Sequence, residues 1–122
     1  ITIWKNTDQI EYPNAILDFK YKLNTYLIEH PNEELHISSL YSASENIENP
    51  NLGFQRGIKI KEILSKTGIP NEKMVIKTII REVDFQPDNS FGNGINFSFH
   101  PLNKDRVESL KLSLPQTKTI IG

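Results

Sequence analysis

The chain has 122 residues, of which 37% are hydrophobic and 24% charged, a size and balance that fit one globular domain with a single core. A net charge of −1 and a pI near 6.3 give no general attraction to nucleic acid or anionic lipid, and the absence of cysteine excludes disulfides, thiolate metal sites and cysteine nucleophiles. No apolar run approaches the roughly 20 residues of a membrane helix, so no membrane insertion by this chain is expected.

Ile1 to Trp4 alternates apolar and polar residues and reads as a first strand. It opens without an initiator Met or a signal peptide, which suggests a processed or excised part of a longer protein. Pro13 suits the first turn of a helix expected over 13–30, in which Ile16, Phe19, Leu23, Tyr26 and Leu27 share a stripe. Pro31 disfavours helical geometry at His30 and ends it. The segment 34–41 is a strand with Leu35 and Ile37 on one face and His36, Ser38 and Leu40 on the other. After a polar loop, Asn51 is a suitable N-cap for a helix over 51–67, with Leu52, Ile60, Ile63 and Leu64 along one face. Gly68 and Pro70 stop it.

The β-branched run 74–83 reads as a third strand, and 84–94, with Pro87, Asp88, Asn89, Gly92 and Gly94, as a turn. Ile95, Phe97 and Phe99 then alternate with polar residues in a fourth strand over 95–100. The order β-α-β-α-β-β predicts an α/β (α+β) sandwich, with two helices on one face of a four-stranded mixed sheet. Leu23, Leu27, Ile37, Ile60, Leu64, Phe97 and Phe99 should share its core. Beyond this module of residues 1–102, residues 103–122 read as an extension or a linker toward a following domain. Within it, Asn103 could cap a short helix containing Val107, Leu110 and Leu114 and ended by Pro115, and 117–121 resembles a further strand.

Pro31, the strand to Tyr41, Asn51-Leu52, Arg56-Gly57, Ile60, Leu64 and Gly68-Ile69-Pro70 together resemble the OmpA-like domain. In that family, this module lets many Gram-negative outer-membrane proteins and lipoproteins hold peptidoglycan. About a third of the chain carries the resemblance. Asn6-Thr7 stands where the family's first strand ends near an Asn-Ser pair, and Gly57 stands where it usually has Ala. The resemblance implies a non-enzymatic cell-envelope module without a cofactor. It would lie in the periplasm, associated with the outer membrane through the rest of its parent protein, and its partner would be peptidoglycan or another envelope protein.

Arg56 is the first candidate site residue, since a guanidinium near a helix start can receive a carboxylate in bidentate fashion. The alternative is a solvated helix residue, or one paired with Glu45 or Glu48. In the family, the matching Arg takes the carboxylate of diaminopimelate and an Asp at the end of the preceding strand takes its ammonium. That Asp position falls on Tyr41, which carries no charge at neutral pH. Losing one charged hydrogen bond should weaken binding by about ten- to a hundredfold, and Tyr41→Asp should restore some affinity. Glu45, in the same loop, is a possible substitute, and Asn51 completes the candidate ligand set. The family's Thr-Asp and Gly signature in this loop is absent, as is the basic pair before its last strand, where Gly92-Asn93-Gly94 stands. A copy that has lost its ligand would serve as a spacer or a protein-interaction domain.

Other chemistries find little support. His30, His36 and His100 lack the i, i+4 spacing of a helical metal site, so no metal is expected. No Gly-x-Ser-x-Gly elbow presents a nucleophile, so no catalytic residue is assigned and a small α/β enzyme is the remoter alternative. Gly92 and Gly94 have no following helix to seat a phosphate. Phe97 and Phe99 lack the basic neighbours of an RNA-binding sheet.

Overall fold

The computed structural model describes residues 1–112, with side chains to residue 109. Strand β1 (Thr2–Trp4) and the short β2 (Ile10–Glu11) precede helix α1 (Ile16–Glu29). Strand β3 (Glu33–Tyr41), helix α2 (Leu52–Thr67) and strand β4 (Met74–Ile80) follow. The short β5 (Ser90–Phe91), strand β6 (Ile95–Pro101) and helix α3 (Lys104–Leu112) complete the described chain.

β3 is the centre of the main sheet. It pairs in parallel with β4 across the α2 crossover and antiparallel with β6, in the order β4-β3-β6. The register aligns Leu35 with Phe99 and Ile37 with Phe97, so these side chains share the face that both helices cover. There Phe19 of α1 meets Phe97 with ring centroids 5.4 Å apart, and Tyr26 stacks on Phe99 at 3.9 Å. Leu23, Leu27, Ile37, Ile60 and Leu64 are buried in one cluster, as expected, while Phe97 and Phe99 pack against it partly buried.

The α+β class and the β-α-β-α-β-β framework hold, but the sheet is divided. Instead of four strands in one sheet, β1 pairs with β2 and β5 in a second three-stranded sheet. β1 has three residues and leaves its line at Asn6, whose φ of 63° is left-handed. Gly94 joins the two sheets by donating to Ile1 O at 3.1 Å and accepting from Leu40 N at 2.9 Å. A Cβ there would stand 2.5 Å from Ile3 Cγ2, so the crossing needs glycine.

Boundaries also move. Pro13 lies in a turn before α1, accepting from Ile16 N at 2.9 Å, rather than in its first turn. β4 ends at Ile80, three residues short of the expected limit. The expected turn over 84–94 contains β5, because Ser90 and Phe91 pair with β1. Asn51 caps α2 by accepting from Phe54 N at 2.8 Å, and Gly68 closes it with φ 117°. Asn103 likewise caps α3 through Arg106 N at 3.0 Å. The expected helix end at Pro115 and the strand over 117–121 lie outside the described residues.

Candidate functional site

Two glycines set the position of Arg56. A Cβ at Gly53 would lie 2.8 Å from Tyr41 Cδ1 and 3.0 Å from Ser39 O, and one at Gly57 would lie 2.7 Å from Ile76 Cγ2. Their absence lets α2 sit close on β3 and β4, which accounts for Gly57 where helix propensity alone would favour Ala. Arg56, between them, is driven into the interior and has no exposed surface.

Each of its five N–H donors has a partner. Nε donates to Thr7 O at 3.1 Å, Nη1 to Leu40 O at 3.0 Å and to Glu45 Oε1 at 3.1 Å, and Nη2 to Trp4 O at 2.9 Å and to Glu45 Oε2. The guanidinium therefore joins the end of β1, the end of β3 and the loop after β3. Glu45 is just as fully held: Oε1 also accepts from Ser42 N at 2.8 Å, and Oε2 from Asn6 N at 2.9 Å. Asn6 Oδ1 in turn accepts from Asn46 N at 2.8 Å. Burial pushes the Glu45 carboxyl up, but the Arg56 hydrogen bonds, the Ser42 and Asn6 N–H groups and the guanidinium charge outweigh it and hold the carboxyl below the ordinary range.

Of the four candidate ligand residues, the structure brings two into direct contact. Arg56 and Glu45 form a buried pair, whereas Glu48 bonds Gln55 Nε2 at 3.1 Å. The Leu40 carbonyl that Arg56 holds immediately precedes Tyr41, whose half-buried ring packs over Gly53. Asn51 Oδ1 is engaged in capping. Thr7 enters the site through its carbonyl and Asn6 through its N–H and Oδ1, roles signalled in the sequence only by their place at the end of the first strand.

A second cluster lies at the other end of β3. Glu34, 4% exposed, accepts from Asn103 N at 2.9 Å and from Arg106 Nη2 at 2.7 Å, and its other oxygen lies 2.6 Å from His36 Nε2. Burial opposes its ionisation, but the Asn103 N–H, Arg106 and His36 hydrogen bonds and the Arg106 charge lower its pKa to about 2. His36 also stacks on His100 at 3.8 Å, a pairing across β3 and β6 that linear spacing conceals. Among the described residues, no group of three or more His, Asp or Glu side chains is arranged to hold a metal ion. No described helix is long and apolar enough to cross a membrane.

No protein-family model matches the chain, and no curated protein does. Solved structures do match in fold. The peptidoglycan-associated lipoprotein from Burkholderia pseudomallei superposes with a TM-score of 0.56 at 13% identity, over 81% of this chain and 89% of that one. The C-terminal domain of Helicobacter pylori MotB superposes with a TM-score of 0.54 at 9% identity, over 95% of this chain and 92% of that one. A longer periplasmic domain of the same MotB gives 0.51 at 8% identity, over 99% and 83%. At these identities the likeness concerns the fold, and the fold is OmpA-like.

Proposed function

We propose that the chain is a non-enzymatic cell-envelope module of the periplasm, built on a peptidoglycan-binding fold whose carboxylate receptor is filled from within. One observation carries this reading: the Glu45 carboxylate takes two donors of Arg56, and backbone carbonyls take the other three. No donor remains for an incoming carboxylate. With an uncharged Tyr41 beside it, the site offers neither half of the receptor that a diaminopimelate zwitterion needs. Muropeptide binding is weak or lost, and the module acts as a spacer or a protein-interaction domain in an outer-membrane-associated parent. The likeness to a peptidoglycan-associated lipoprotein supports the envelope setting.

Titrating the chain with a diaminopimelate-containing muropeptide, by calorimetry and by following the Arg56 Nε–H resonance, tests the reading. No saturable heat and an unmoved resonance are expected. Micromolar binding that shifts Arg56 Nε–H would show that the ligand displaces Glu45, and the filled-receptor reading would have to be given up. Tyr41→Asp alone should restore little affinity, because it leaves the guanidinium occupied.

A further inference from the structure

A different face of α2 overhangs a groove of about 590 Å³ beside β4. Phe54, Ile58 and Lys61 line it from α2, Met74 and Ile76 from β4, and Arg106 from α3. Among the described residues, β4 is the outer strand of its sheet and pairs only with β3. Arg81 N donates to Tyr41 O at 3.1 Å, and alternation along the strand then turns the N–H groups of Ile76, Thr78 and Ile80 away from β3. These groups, which have no strand partner among the described residues, form a template for one more strand. Phe54 and Ile58 would roof such a strand, since they continue the helix beyond the edge it already covers.

The charge around the groove is unbalanced. Lys61 is half-buried, and no carboxylate pairs with it among the described residues. Burial, and then the Arg106 charge, hold its ammonium below the ordinary lysine range. Arg106 donates through Nη2 to Glu34 and to Glu72 O, while its Nε is buried and has no hydrogen-bond partner among the described residues. Glu62, also on the lining, is exposed to solvent.

We propose that this groove takes an extended, acidic peptide segment of a partner protein, added as a strand to β4 with its carboxylate against Lys61 and Arg106. Strand addition supplies main-chain hydrogen bonds, the apolar lining takes alternate side chains, and the two cations select an acid near the Met74 end. A second copy of this chain fits less well. A two-fold axis through the middle of β4 would set Lys77 against its counterpart, and directly opposed like charges destabilise a strand pair. The inference gives a partner class to the interaction role proposed above, and its test involves no muropeptide.

The full 122-residue chain is mixed with acetylated, amidated hexapeptides of alternating Thr and Val that carry Glu at either the first or the last position. Matched peptides carrying Lys serve as controls. Amide exchange at Ile76, Thr78 and Ile80 should slow roughly tenfold once one of the Glu peptides is at about ten times its Kd. The Lys peptides should have no such effect. Thr78→Pro, which removes one outward donor at an edge that tolerates proline, should abolish the slowing. Lys61→Gln should weaken binding of the Glu peptide and leave the fold intact. Failure of both Glu peptides, or equal slowing by the Lys peptides, overturns the proposal. So does protection already present without peptide: if it vanishes on dilution, a second copy covers the edge, and if it persists, the chain itself does.

Discussion

Glu34 near the start of β3 and Glu45 just beyond its end are both buried carboxylates held ionised, but they are held in different ways. Glu45 is enclosed by β1, β3, α2 and the loop that carries it, and its cation has no exposed surface. Glu34 relies on the segment after β6: Asn103 supplies an N–H and Arg106 a guanidinium whose side chain is 26% exposed. A pair with every donor and acceptor satisfied inside the fold becomes part of the core and is closed to ligands. A pair completed by a peripheral helix remains conditional on that helix.

The sharpest test of this contrast is to remove the cation at each end. Arg56→Met should cost about 3–5 kcal/mol in denaturant unfolding, because Glu45 would be left charged, buried and unpaired. Arg106→Met should cost only about 1 kcal/mol, since the Arg106 side chain is 26% exposed and the Asn103 N–H and His36 still hold the Glu34 carboxylate. Equal losses would remove the distinction. Leu64→Ala provides an apolar yardstick and should cost about 2–5 kcal/mol at a fully buried position. A loss below about 1 kcal/mol would mean that α2 turns another face to the core.

Acid should weaken both ends in a defined direction. Both carboxyls have folded-state pKa values below the ordinary 4.5, so their contribution is complete above the unfolded value and is lost as pH falls through the folded one. For Glu34 the window runs from 4.5 down to about 2. The unfolding free energy measured across that range should fall, and fall less in Arg106→Met. A profile unchanged by this substitution would show that Arg106 does not stabilise the ionised Glu34.

Removing the tail takes away both Arg106 and the Asn103 N–H and should cost at least as much as Arg106→Met. We propose that residues 1–102 form the folding unit, so a chain ending at Leu102 should stay folded and lose about 2 kcal/mol. Carbon-detected titration of the side chains should then show the Glu34 pKa rising while Glu45 is unmoved. Unfolding on truncation would make α3 integral to the module.

The sequence by itself determined the elements whose signals are local. The stripe of Leu23 and Leu27, the alternation around Leu35 and Ile37, the Asn51 cap and the Gly68 stop all act within one turn or one strand, and the structure has them where the pattern predicts. It also brought Arg56 and Glu45 into consideration. What it could not decide was whether the guanidinium faces a ligand or the chain's own carboxylate. That choice depends on Trp4, Thr7 and Leu40 meeting at one point, and they meet because Gly53 and Gly57 let α2 approach the sheet. The division into two sheets was equally hidden, since β2 and β5 have only two residues each and are strands only because β1 lies between them. The stacking of His36 on His100 follows from the register of β3 with β6, which long-range pairing sets and no linear spacing encodes.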